Sequence, residues 1–244
     1  RPCVAARQKG NHAGLPYRIY QNMPLPTSSV GKKLLMAFSG QMMILFIILH
    51  VLGNSTIFYG TLNAYAAGLH ALPILLWIIR SVMIAALLLH VFYGIQVTIE
   101  NREAKPQTYA VQEYATSTFA GRNMIWTGAA IGTFLVYHLL HFTFQTIDPA
   151  TAAFSNLDTA GRPDVFTMLF AAFRKISILL IYSAGLLAVW LHLTHGIQSS
   201  FQTWGLNGEK SFPYIRRGSW LAAFILLLAY AAIPAAIVLG MLKP

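Results

Sequence analysis

The chain has 244 residues, 56% hydrophobic and 10% charged, with a formal net charge of +10 and a mean hydropathy of +0.57. Soluble domains carry about 25% charged residues, so this composition excludes an ordinary water-soluble enzyme and implies a polytopic membrane protein. The basic residues lie between apolar stretches rather than on one face with interleaved aromatics, which argues against nucleic acid and for topology signals and contacts with lipid or partner proteins. A single cysteine, Cys3, excludes an internal disulfide and a cysteine-rich cluster.

In chain order, residues 1–30 read as an irregular cytoplasmic tail broken by Pro16, Pro24 and Pro26. The tail has no apolar core of a secretory signal, so the first apolar stretch is expected to act as its own insertion signal. Thr27, Ser28 and Ser29 offer an N-cap for the first apolar helix. Residues 31–244 are expected to form an all-α bundle of five transmembrane helices over 31–59, 72–100, 121–146, 166–204 and 216–241, each meeting the ~20 residues a bilayer requires. Pro234 is expected to kink the fifth.

Orientation is set by lysine and arginine. Twelve of the seventeen fall in the tail and in the II–III and IV–V connections, while the I–II connection has no charge at all. The positive-inside rule then puts the N-terminus in the cytoplasm and the C-terminus outside, the topology expected of a multi-pass protein of a cytoplasmic membrane.

Histidine inside such segments is costly and marks a site. Helix I carries His50, helix II His90, helix III His138 and His141, and helix IV His192 and His195. Because successive helices run in opposite directions, His50 and His138 fall at one depth in the outer half, and His90 and His192 at another in the inner half. Two imidazoles facing each other across a bundle are what a six-coordinate b-type haem iron requires. Gly94 and Gly196 each stand four residues after an inner histidine, on the same face, and leave room for a flat macrocycle; Gly53 and Gly132 offer the same near the outer pair. Ordinary close helix packing is the competing explanation for those glycines. His141 and His195, three residues past their neighbours, suit a propionate, carbonyl or quinone contact. His12 reads as a solvated tail residue, and His70 as a loop residue at the surface or at a quinone. Zinc and copper are disfavoured because thiol and acid ligands are missing from the helices. The two-ligands-per-helix pattern of respiratory bc-type cytochromes is missing as well.

With those residues in hand, the chain resembles a known family from about residue 31 to 241: the single-polypeptide di-haem cytochrome b (b558 type) membrane anchor of succinate:quinone oxidoreductases, the succinate dehydrogenases and fumarate reductases. The resemblance is carried by VGKKLLMAFSGQMMILFIILHVLGN, LNAYAAGLHALP, LLLHVFYGIQ, FLVYHLLHF and HLTHGIQSSFQTWG. It implies two haems b, with His50 and His138 ligating the outer iron and His90 and His192 the inner. His192 is preferred to His195 because it precedes Gly196 and the Trp204–Gly205 pair at the family's spacing; helix III has no such marker for His138 over His141. The resemblance further implies electron transfer between a cytoplasmic iron–sulfur subunit and menaquinone or another quinone. A flavoprotein subunit with FAD would hold the succinate site, which this chain does not contain. Residues 100–106, the tail and the IV–V connection are the expected docking face, and Asn54, Ser55, Tyr59, Asn63 and His70 the quinone candidates. Two departures stand out. The I–II connection lacks the acid that some fumarate reductases use, and the position two before His192 is Trp190. Arg80 lies inside helix II near the outer pair, where it would meet a propionate, snorkel or bond a carbonyl. Two other classes fit part of the pattern: a di-haem anchor of a hydrogenase or formate dehydrogenase, and a haem-free transporter or scaffold.

Overall fold

A computed structural model describes residues 28–104 and 118–243; the tail, Cys3, His12 and most of the II–III connection, including Lys105, lie outside them. The described chain is helical, with one isolated bridge between Leu157 and Pro163. Helix α1 spans Ser29–Asn54 and runs on as a 3-10 turn over Ser55–Tyr59. A short α2, Leu62–His70, leads into α3, Pro73–Glu103. After the four-residue α4, Phe119–Arg122, comes α5, Met124–His138, closed by a π turn over Leu139–Thr143. Helices α6, Val165–Phe173, α7, Ile176–Thr203, and α8, Phe212–Val238, complete the order.

Local chemistry sets these boundaries. Ser28 caps α1 by accepting from the Gly31 amide at 3.0 Å, within the expected Thr-Ser-Ser cap. Asp164 caps α6 by accepting from Thr167 N, and Pro73 opens α3 where no donor is lost. The turn after residue 59 needs a left-handed residue, supplied by Gly60 at φ 68. Gln145, at φ 56, makes the same turn after the π segment without being glycine.

Among the described residues five helices are long and apolar enough to cross a membrane: Ser29–Tyr59, Pro73–Glu103, Met124–Thr143, Ile176–Thr203 and Phe212–Val238. Their flanks expose large apolar side chains such as Leu49, Ile78, Leu88, Leu180 and Leu228, which suits hydrocarbon as the solvent. The expected single stretch 166–204 is two helices. Arg174 and Lys175 separate α6 from α7: the backbone is extended at Lys175, whose ammonium pairs with Asp148.

Helix α1 packs along α3 and α7, and α7 also packs along α5 and α8; α3 and α5 barely touch. At one end, here the capped end, residues 55–72 and 144–175 fold over the bundle around Ile57, Leu62, Leu169, Phe173, Tyr182 and Ile237. At the other, open end, buried Lys32 of α1 pairs with Glu100 of α3. Gln41 Nε2 donates to Ser200 Oγ at 2.5 Å and Tyr230 donates to Ile47 O at 2.6 Å, tying α1 to α7 and α8. A Cβ on Gly185 would overlap the Phe134 ring, so this glycine lets α5 and α7 approach.

Candidate functional site: two histidine pairs

The four histidines singled out by depth meet as two pairs on opposite helices. The His50 and His138 rings are 6.0 Å apart between centroids, at 87°. His90 and His192 are 6.1 Å apart, at 65°. On helix III it is His138 that meets His50, while His141 is 2% exposed and stacks on Phe142 at 4.1 Å. On α7 it is likewise His192 that meets His90; His195 lies against Gly121, whose added Cβ would stand 2.9 Å from its ring.

The two pairs lie at two levels. The His90 ring rests on Gly40 of α1, where an added Cβ would come within 3.1 Å, and the His192 ring on Gly128 of α5, at 3.6 Å. Each of these glycines precedes the other pair's histidine by ten residues: Gly40 before His50, Gly128 before His138. On α7, Tyr182 touches His138 and stands ten residues before His192. At 1.5 Å per residue the levels are therefore about 15 Å apart. By the same count Arg80, ten residues before His90, lies at the capped-end level. Its guanidinium carbon is 5.2 Å from the centre of the Trp77 ring, a cation–π contact. That recurrence was present in the sequence but has no meaning until the helix neighbours are known, so Gly40, Gly128, Thr127 and Tyr182 were missed.

A hydrogen bond fixes which ring nitrogen of His90 is available, and the His192 and His138 rings have hydroxyl partners. His90 Nδ1 lies 3.0 Å from Met36 O, a carbonyl that only accepts, so Nδ1 carries the proton. His192 Nδ1 lies 3.0 Å from Thr127 Oγ1. The Thr127 hydroxyl has two carbonyls for its proton, Asn123 O and Met124 O, and its oxygen then accepts from His192; the opposite direction, with the hydroxyl donating to Nδ1, fits the same distance. Among the described residues neither Nε2 has a hydrogen-bond partner, leaving the tautomer that a metal-binding histidine adopts when its other nitrogen is held by a carbonyl or hydroxyl. At the capped end, the Tyr182 phenol is 3.4 Å from His138 Nδ1 and 3.2 Å from His141 Nδ1. His50 stacks on Phe46 at 5.6 Å and borders Tyr230 at 6.3 Å.

These residues fit a haem on four counts. An iron placed ~2 Å from each of two imidazole nitrogens puts the ring centres ~6 Å apart, which both pairs match. The Nε2 lone pair of His90 is unused, and so is that of His192 when Thr127 accepts from its Nδ1. Beside the open-end pair, a Cβ on Gly196 would meet nothing within 4 Å and one on Gly94 only Met36 Sδ at 3.8 Å; of the glycines near the capped-end pair, Gly132 is exposed on its helix surface and Gly53 is filled by the Tyr65 ring. Lastly, His141 Nε2, Trp190 Nε1 and His195 Nδ1 are buried without a partner among the described residues, polar atoms of the kind a bound group satisfies. No three His, Cys, Asp or Glu side chains gather into a metal cluster among the described residues; a haem iron asks the protein for two.

The quinone candidates are placed less uniformly. Asn54 Nδ2 donates to His50 O at 2.8 Å and Ser55 Oγ to Leu52 O. Tyr59 is 81% exposed. His70 Nδ1 lies 2.8 Å from Ala66 O, with its ring against Phe154. Asn63 is committed to the cap: it donates to Asp164 Oδ1 at 3.0 Å and Asp158 Oδ2 at 3.3 Å, and accepts from Phe166 N at 2.9 Å. Trp190 packs edge-on against Trp220.

No protein-family model, curated protein or solved structure matches this chain.

Proposed function

We propose that the chain is the membrane anchor and electron-transfer subunit of a succinate:quinone oxidoreductase, a di-haem cytochrome b with His50 and His138 on one iron and His90 and His192 on the other. The observation that carries this reading is the pair of 6 Å histidine contacts on opposite helices at two levels. Bound there, each haem supplies one-electron redox chemistry. The chain's own residues do the rest: Met36 O and Thr127 orient the open-end imidazoles, Gly94 and Gly196 leave space beside them, and the apolar helices exclude water. With the open end in the cytoplasm, as the distribution of basic residues requires, the two levels form a path from a cytoplasmic iron–sulfur partner toward a quinone near the capped end. Succinate chemistry on FAD belongs to a separate flavoprotein subunit. Lys33, Arg102, Lys210, Arg216 and Arg217 surround the open end, where the partners dock.

Purification of the tagged chain from its native membrane tests this directly. The expected result is two haems b per chain, seen in the reduced-minus-oxidised spectrum, with a covalent-flavin subunit and an iron–sulfur subunit in the same preparation. A nickel- or molybdenum-containing partner assigns the chain to a hydrogenase or formate dehydrogenase instead. A preparation without b-type bands makes it a haem-free scaffold or transporter.

A further inference from the structure

Two histidines of the capped end share one phenol. Tyr182 of α7 lies within hydrogen-bond range of His138 Nδ1, at 3.4 Å, and of His141 Nδ1, at 3.2 Å. Its ring is boxed by Phe134, Phe142 and Phe173, with centroids 5.3, 5.3 and 5.2 Å away, so the hydroxyl is aimed by packing rather than by solvent. His141 reaches it from the π turn after His138, a local widening that recurs at functional sites.

A phenol has one proton to give. We infer that Tyr182 is the positioning residue of the capped-end pair, joining His138 and His141 in a one-way hydrogen-bond chain that fixes the His138 tautomer. The inference rests on the haem reading above, which also sets its direction. A histidine that binds iron through Nε2 carries its proton on Nδ1 and donates it to Tyr182 Oη. The phenol proton is then free to go only to His141 Nδ1, which leaves His141 protonated at Nε2. The reverse direction would place a proton on His138 Nε2 and close it to a metal.

The arrangement differs from that of the open-end pair. There each imidazole has its own acceptor, Met36 O or Thr127 Oγ1, at 3.0 Å. At the capped end no hydrogen bond to the His50 ring exists among the described residues, and the longer bond from His138 is shared with a second histidine. A partner that withdraws the Nδ1 proton makes an imidazole a stronger donor and favours the ferric state. Tyr182 therefore sets the potential of one haem and leaves the other unchanged.

The test is a redox titration of the purified complex in wild type and Tyr182→Phe, monitored by optical bands and the low-spin ferric EPR signals. His138→Ala identifies the capped-end component by its loss. Tyr182→Phe keeps the ring in its aromatic box and removes only the hydroxyl. It is expected to raise the capped-end midpoint by about 59 mV, the equivalent of a tenfold change for a one-electron couple, with the open-end midpoint unmoved. Thr127→Val is expected to do the converse. Replacing His141 by Leu removes the phenol's acceptor and moves the capped-end component in the same direction by less, which supplies an answer should Tyr182→Phe lose that haem outright. Two haems with an unmoved capped-end component in both Tyr182→Phe and His141→Leu overturn the inference and leave the haem assignment standing. A wild-type preparation without haem overturns the assignment itself.

Discussion

Gly40 and Gly128 hold equivalent places behind the open-end pair, yet alanine at the two positions should have opposite consequences. At Gly40 an added Cβ would stand 3.1 Å from His90 Cε1 and 3.2 Å from Nδ1, some half an ångström inside the ~3.5–4.0 Å optimum for such contacts. The ring cannot retreat freely, because Nδ1 is tied at 3.0 Å to Met36 O, one turn back on the same helix. Gly40→Ala must therefore shift the helix or break that bond. Overpacking of this kind costs about 1–3 kcal/mol, which, at a factor of ten per 1.4 kcal/mol, weakens haem binding at that level by roughly 5- to 150-fold. At Gly128 the same methyl would sit 3.6 Å from His192 Cε1, an ordinary contact, and alanine gains up to about 1 kcal/mol of helix propensity over glycine. The assay is haem per chain in the purified variants, with the spectral component that His90→Ala abolishes taken as the open-end haem, alongside thermal unfolding. Gly40→Ala should lose that component selectively while Gly128→Ala keeps it and melts no lower. Full retention in Gly40→Ala with loss in Gly128→Ala would refute the packing argument.

Three further outcomes are open to measurement. The Lys32–Glu100 pair is asymmetric, its side chains 9% and 38% exposed, so Glu100→Gln strands a buried cation at a cost up to about 3–5 kcal/mol. Lys32→Met leaves only a half-solvated carboxylate; detergent unfolding should rank Glu100→Gln clearly below Lys32→Met. Asp158 accepts from Arg162 N and Ala160 N, both at 2.9 Å, and from the Arg162 side chain. These donors, the Arg162 amide first, hold its carboxyl down at about 2. Because that lies below the unfolded value of about 3.9, its contribution to the capped-end loop is complete above the unfolded value and fades as pH falls toward 2. Hydrogen exchange over residues 152–164 should rise across that window in wild type and be raised already at neutral pH in Asp158→Asn; a profile identical in both would dismiss the role. Arg80→Leu should shift the capped-end midpoint alone, since its guanidinium lies at that level, and unchanged potentials would remove Arg80 from the haem's surroundings.

Much of this architecture was legible without coordinates. Apolar run length dictates where a chain can cross a bilayer, and four of the five expected spans match helices to within a few residues. Histidines at equal depth on alternate helices, which run the same way, were predictable as pairs, because direction of travel converts position along the chain into depth. The fourth span was misjudged, since residues 166–173 are apolar enough to read as part of a crossing. Long-range contacts show that α6 turns into the cap: the ion pair between Lys175 and Asp148 and the packing of Leu169 and Phe173 on Ile57 and Leu62. Asn63 shows the same limit from the other side: as an isolated polar loop residue it suits a quinone, but three long-range hydrogen bonds commit it to holding residues 158–166.

The sequence by itself determined the apolar character of this protein, the helices long enough to cross a membrane and the shared level of each histidine pair, because composition and the rise per residue of a helix dictate all three. Tertiary structure alone decided which helix stands behind which imidazole. Met36 O, Gly40, Thr127, Gly128 and Tyr182 carry no signature as single residues. Their roles arise from rotation about the helix axes, which apolar periodicity in an all-round hydrophobic helix leaves undetermined.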